Sequence, residues 1–316
     1  MQKHIDLFTG IGGMTLALEG ISKPAAYCDK KPFSRLVLNK LMKRKWLPEA
    51  PVFPDIAVLK RAPILIDYIT AGFPCTGFSA AGSMTGFQHA ESAVFTSLVR
   101  VCQLCRPRMI LLENAPTIFH NKAYRTHVTR SFSKIGYSML HCIVRATDVN
   151  LPHRRSRWFA VAVHPTFTKG EALRIRNKLD KKWLPVHRQP LRCTPNKDTL
   201  ARKRFDLLKN SVVPNAARLA LFRLMTTFVS EDVPCTSAPP SVDVSLTHKQ
   251  GNVVFKKKLW PTPHGAWFDG SPTLNERGCR DLPTAVRHEI STKPGHFNVQ
   301  WVEWLMGYKA SWTDPR

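Results

Sequence analysis

The sequence predicts an α/β fold, a Rossmann-like and mostly parallel sheet followed by a smaller, irregular C-terminal module, and three stretches carry that prediction. Ile5-Asp6-Leu7-Phe8 runs into the turn Thr9-Gly10-Ile11-Gly12-Gly13 and a helical run from Met14 to Leu18, a strand-loop-helix unit whose glycines let a ligand lie against the backbone. Ile64 to Ile69 reads as a second strand that empties into the glycine-bounded loop Gly72-Phe73-Pro74-Cys75-Thr76-Gly77-Phe78-Ser79. Met109 to Leu112 is apolar throughout, as in a parallel strand covered on both faces. It delivers Glu113 at its carboxyl end, where open α/β sheets bind ligands.

Composition narrows the function classes. A net charge of +25 over 316 residues fits a polyanionic partner, because Lys and Arg neutralise phosphates and release condensed counterions. Nucleic acid is therefore the leading partner. A membrane surface is disfavoured, since no basic amphipathic helix stands out and no apolar run approaches spanning length. The N-terminus enters a strand without the regions of a signal peptide, and eight Cys without a dense framework read as reduced thiols, so an intracellular location is expected. Cys102 and Cys105 lack a matching second pair and are read as structural, with no metal expected.

Along the chain, Asp29 follows the glycine turn at the distance where such folds place an acid on a ribose hydroxyl; capping the helix near Pro32 is the competing role. Asp55 follows the extended Val52-Phe53 and could accept from an adenine amine or simply sit in a turn. Ser92 to Cys105 carries an apolar helical face. Cys75 alone would read as a small buried hydrophobe, but a thiolate at a strand end can be a nucleophile. Beside apolar residues the Glu113 carboxyl can stay protonated and donate to a ring nitrogen; a turn acid before Pro116 is the alternative. Leu151-Pro152-His153-Arg154-Arg155-Ser156-Arg157 leads into the strand Trp158 to Val163, and alternation sends Arg155 and Arg157 to one side and Arg154 to the other. Arg154 then suits phosphate contact.

These blocks resemble the DNA (cytosine-5) methyltransferase family. Asp6 to Gly13 is similar to its cofactor loop, Gly72-Phe73-Pro74-Cys75 to its nucleophile loop, Glu113-Asn114 to its acid motif, and His153 to Arg157 to its Q-x-R-x-R motif. Asn210-Ser211-Val212-Val213-Pro214 resembles its late block, whose helix returns beside the first one, so the likeness covers most of residues 1–230. The resemblance implies an S-adenosyl-L-methionine-dependent methyltransferase sheet, with cofactor contacts from Phe8, Gly10, Gly12, Gly13, Asp29, Asp55, Ile56, Pro74, Asn210 and Ser211. It implies Cys75, Glu113, Arg155 and Arg157 as catalytic residues acting on a cytosine flipped from double-stranded DNA by a monomer, with Ser79 and Arg154 toward the nucleic acid. A tRNA cytosine-5 methyltransferase of the same fold and a silent DNA-binding homologue are the alternatives.

The chain departs from the family at Thr76 (usually Gln), Glu91 (often Arg), Ala115 (usually Val), His153 (usually Gln) and Lys209, where a glycine normally precedes Asn. Lys209 bears on cofactor affinity if that position needs a backbone angle that Lys disfavours. The expected organisation is a catalytic and cofactor domain at 1–163, a short basic span with little apolar periodicity at 164–205, a late helix at 206–230, a linker at 231–250 and a target-recognition module at 251–316. That module resembles segments which phage-type members place before the late block, so the chain reads as rearranged, with Arg277, Arg280 and Arg287 as DNA contacts. Lys256 to Lys258 read as a phosphate patch or a solvated loop, and Trp301, Trp304 and Trp312 as core. On this reading a chain ending at Ser230 keeps every residue named for chemistry and cofactor and still binds S-adenosylmethionine.

Overall fold

In a computed structural model of the chain, residues 1–59, 66–74, 90–181, 183–185, 187–190, 193–194, 198–230, 242–243, 260 and 296–316 are described. The central strands are β1 (Gln2–Leu7), β2 (Ser22–Cys28), β3 (Val52–Phe53), β4 (Tyr68–Gly72), β5 (Met109–Asn114), β6 (Ser138–Arg145) and β7 (Ser156–Val163). They lie in the order β3-β2-β1-β4-β5-β7-β6, parallel except for β7, which runs antiparallel to both β5 and β6. Two two-residue strands, β8 (Cys193–Thr194) and β10 (His296–Phe297), pair with each other, and β9 (Val242–Asp243) extends the sheet beyond β6. The Rossmann-like methyltransferase sheet expected from the sequence is thus present. The chain moves outward from β1 to β3 and returns to β4, which leaves a crevice at the carboxyl ends of β1 and β4, the switch point where such sheets bind ligands.

Apolar runs cover both faces. On β5, Ile110 and Leu112 enter one core, Met109 and Leu111 the other, as the two-residue side-chain period demands. The first face carries α3 (Ala90–Cys105), α4 (Thr117–His120) and α5 (Lys122–Ser133), with Leu98, Val101, Ile118, Val128 and Phe132 buried. The second carries α1 (Gly13–Ala17), α2 (Pro32–Lys43), α6 (Lys169–Lys181), α7 (Ala201–Lys209), α8 (Pro214–Ser230) and α9 (Val299–Leu305). Pro32 and Pro214 each open a helix at its first position, where a missing N–H costs nothing. None of the described helices is long and apolar enough to cross a membrane.

Three boundaries differ from the sequence reading. The strand placed at Ile64 to Ile69 begins at Tyr68. The span 164–205 contains α6, whose Ala172, Ile175 and Leu179 pack in the core beside α8; these apolar positions are separated by charges, which dilutes the periodicity. The largest difference is at the C-terminus. Residues 298–316 are integral to the catalytic unit: Trp301, Val302, Leu305, Met306, Tyr308 and Trp312 share a core with Met14, Leu208 and Val213. The core assignment of the tryptophans holds for Trp301 and Trp312, and Trp304, half-buried, donates its indole N–H to the His187 carbonyl.

Charge fixes this segment as firmly as packing does. Arg204 of α7, 3% exposed, donates to Glu303 at 2.8 Å and to Asp198 at 2.5 Å, and Glu303 also accepts from the backbone of Ser311 and Thr313 and the Thr313 hydroxyl. Removing one member strands the others as buried charges. Arg204→Ala is expected to cost about 3–5 kcal/mol in urea unfolding; a loss below about 1 kcal/mol would show that the cluster is not a structural pin.

Candidate active site

The crevice is built on Asp6. Its carboxyl, wholly buried at the end of β1, accepts from Thr70 of β4 at 2.7 Å and from Thr15 of α1 at 2.8 Å. Because the single Thr15 hydroxyl hydrogen goes to Asp6, Thr15 must accept from His4 Nε2 (3.2 Å), and His4 Nδ1 then accepts from the Ser22 hydroxyl (2.8 Å). Burial pushes Asp6 up to about 7, against the pull of the two threonine bonds, and pushes His4 down to about 3, so the imidazole is neutral. The glycine turn leaves β1 directly above this node. Phe8, Gly10 and Gly12 all take positive φ, of 56°, 58° and 83°, which a glycine adopts without strain and Phe8 does not.

Asp29, buried at the end of β2, accepts from Gly10 N at 2.7 Å and from Lys31 N at 2.8 Å. The residue capping α2 is Lys31, without a side-chain bond, so Asp29 holds the glycine turn instead of capping the helix. Asp55 caps the short 3-10 helix Ile56–Val58 through Ala57 N, and its contact with Lys30 at 3.9 Å is a surface pair of small worth. Ile56 is buried and Pro74 exposed. Asn210 is exposed at the end of α7, while Ser211 is buried and donates to the Leu208 carbonyl. Lys209 sits in the last turn of α7 and is absent from the positive-φ residues, so it replaces the expected glycine without strain.

Glu113, the penultimate residue of β5, lies directly opposite Gly72 of β4, the residue that opens the Cys75 loop. Arg157 donates from Nε to its carboxylate at 2.9 Å. Burial raises the Glu113 pKa, and the nearby Arg157 and Arg155 guanidinium groups limit the rise. Arg155 is 2% exposed and donates to the carbonyls of Lys209 (2.9 Å) and Ser211 (2.5 Å), so it braces the late turn. Alternation sends the two arginines to one side, and of the two Arg157 makes the ion pair with Glu113. Arg154 is exposed, as a nucleic-acid contact requires, and its backbone N–H donates to Trp260. His153 is wholly buried.

Sequence reasoning assigned no role to Asn114, whose Nδ2 donates to the Phe73 carbonyl at 2.9 Å and thereby fixes the start of the Cys75 loop. Asp6 was seen only as part of a motif. Cys75, Thr76, Ser79, Lys256 to Lys258, Arg277, Arg280 and Arg287 lie outside the described residues, as does the side chain of Glu91.

Residues 2–221 match the family described as C-5 cytosine-specific DNA methylase. The chain belongs to this family, whose members are DNA cytosine-5 methyltransferases. It is 29% identical to the type II methyltransferase M.CviJI of Paramecium bursaria Chlorella virus IL3A, across 97% of this chain and 96% of the relative. With the type II methyltransferase M.DsaV of Dactylococcopsis salina it shares 31% identity over 50% of this chain and 45% of the relative. Among solved structures, the S. pombe Dnmt2 methyltransferase matches with a TM-score of 0.41 and 22% identity, over 52% of this chain and 49% of that one.

The buried Asp6 yields a pH prediction. An unfolded aspartate titrates near ~3.9, so between there and about 7 the folded chain holds a proton that the unfolded chain has released. The stability this contributes is complete below ~4 and is lost as pH rises through about 7. Asp6→Asn, neutral at every pH, is expected to gain on the native protein between about pH 4 and about pH 7, by at most about 1.4 kcal/mol per unit in denaturant melts, and to gain no more above that. His4 and His153, both held near 3, act in the opposite sense, losing stability as pH falls from ~6.5, and they are common to both proteins. A constant difference between the two proteins would mean that Asp6 is ionised throughout.

Proposed function

We propose that the chain methylates C5 of a cytosine flipped out of double-stranded DNA, through a covalent bond between Cys75 and C6, with S-adenosyl-L-methionine as methyl donor. The register of Gly72 against Glu113 carries this reading: a buried carboxyl, raised in pKa and paired to Arg157, stands at the mouth of the loop that bears Cys75. No reacting atom of the base is reachable inside a duplex, so the base must leave the stack, and the net charge of +25 suits the surrounding phosphates.

C5 of cytosine is a poor nucleophile. The Cys75 thiolate adds to C6, the ring electrons move onto C5, and Glu113 gives a proton to N3, where negative charge would otherwise collect. Arg157 orients Glu113 and donates to the O2 edge of the ring. The bound cofactor supplies an electrophilic methyl group on a sulfonium. Once C5 carries the methyl, a water molecule takes the C5 proton, the C5–H electrons restore the double bond and expel the Cys75 thiolate from C6, and the N3 proton returns to Glu113. The residues beside the glycine turn suit such a donor: Asp29 and Asp55 follow successive strands and can take hydroxyl and amine groups, and buried Ile56 offers an apolar wall. We place Asn210 and Ser211 on its far side, Arg154 and Ser79 against the DNA, and Arg277, Arg280 and Arg287 in its recognition. We read the chain further as a monomeric, intracellular enzyme, and the type II names of its relatives favour action beside a restriction partner.

DNA containing 5-fluorocytosine is expected to trap the adduct, because fluorine cannot leave as a proton does, and Cys75→Ala is expected to abolish trapping. Trapping by Cys75→Ala would move the nucleophile elsewhere, and methyl incorporation into tRNA but not DNA would transfer the activity to RNA. Glu113→Gln keeps the shape but cannot deliver the proton to N3; turnover is expected to fall by about 10² to 10⁴ with DNA affinity retained. Unchanged turnover would remove Glu113 from the chemistry.

A further inference from the structure

The C-terminal segment makes two contacts to the crevice that methyl transfer does not by itself call for. Trp312 Nε1 donates to the carbonyl of Ile11, inside the glycine turn, at 2.9 Å. Tyr308 donates its hydroxyl to the carbonyl of Val212, in the turn after α7, at 2.6 Å. Both side chains are buried. The Tyr308 hydroxyl is wedged so tightly between the two turns that a Cβ on Gly13 would lie 2.4 Å from it. Trp312 in turn stacks on Trp46, with ring centroids 5.9 Å apart.

We propose that Tyr308 and Trp312 are positioning residues for the cofactor, locking the glycine turn and the Asn210 to Val213 turn into the one relative placement that receives S-adenosylmethionine. Glycines give the first turn its shape at the expense of rigidity. Its backbone must be fixed from outside, by Asp29 at Gly10 and by Trp312 at Ile11. Without their donors the two buried carbonyls would have to turn toward water or remain unpaired, and either outcome displaces the turns. Tyr308 and Trp312 therefore belong to the cofactor site, and a chain ending at Ser230, which lacks both, does not bind the cofactor. The inference rests on the reading that the crevice binds S-adenosylmethionine.

Calorimetric titration of the full-length protein with S-adenosylmethionine tests it. Tyr308→Phe and Trp312→Phe are each expected to weaken binding by about five- to tenfold. In DNA methylation the KM for the cofactor should rise with kcat at saturation unchanged. Trp304→Phe is the matched control: it also deletes an indole N–H from this segment, but one that serves the His187 carbonyl away from both turns, so its affinity should equal that of the native protein. Gly13→Ala should cost less affinity in a Tyr308→Phe background than in the native one, because the hydroxyl that a Cβ would strike is gone. Native affinity in both Tyr308→Phe and Trp312→Phe, or an equal loss in Trp304→Phe, would overturn the proposal. Absence of binding by the native protein would overturn the cofactor reading itself, a separate result.

Discussion

A single buried carboxyl organises the crevice. Asp6 draws a hydroxyl from β4 and another from α1, so the two strands flanking the switch point and the helix that follows the glycine turn meet at one residue. Burying a carboxyl is costly unless its oxygens are bonded, and here both are. The same threonine that serves Asp6 passes the constraint to His4 and Ser22, which ties the far end of β2 into the node. The glycine turn springs from this fixed base, so a few degrees of freedom remain in the loop itself, and neighbouring elements remove them.

Those neighbours come from distant parts of the sequence. Asp29 holds Gly10, Arg155 holds the carbonyls of Lys209 and Ser211, and Arg218 of α8 closes the end of α1 through the carbonyls of Ala17 and Glu19. Asn114 does the same for the Cys75 loop through Phe73. In each case a charged or amide side chain satisfies backbone carbonyls or N–H groups that a tight turn leaves unpaired. Rigid elements thereby hold reactive loops, which is what a site that must align three groups on one ring requires.

What the sequence made legible follows from range. Motifs of adjacent residues survive in the chain as text: the glycine turn, the Glu113 strand end and Pro214 opening its helix were all readable. The partners of Arg155 were not, since alternation gives the side of a strand but not the carbonyls that arrive from 54 and 56 residues away. Helix α6 was hidden by the charges between Ala172, Ile175 and Leu179. The pairing of Arg204 with Glu303 spans 99 residues, and either residue alone reads as a solvated charge.

The C-terminal segment reaches both turns of the site from far along the chain. What those turns require is local: a donor over the Ile11 carbonyl and another over that of Val212, on a scaffold that does not move. Arg204 and Glu303 provide the scaffold from inside the protein, and the pairing of β10 with β8 anchors the segment's start. A connection can be lengthened or rerouted at a small entropic cost that grows only with the logarithm of its length, whereas a lost donor over a buried carbonyl costs its full desolvation penalty. The route of the connection therefore matters less to the site than whether these few hydrogen bonds are kept.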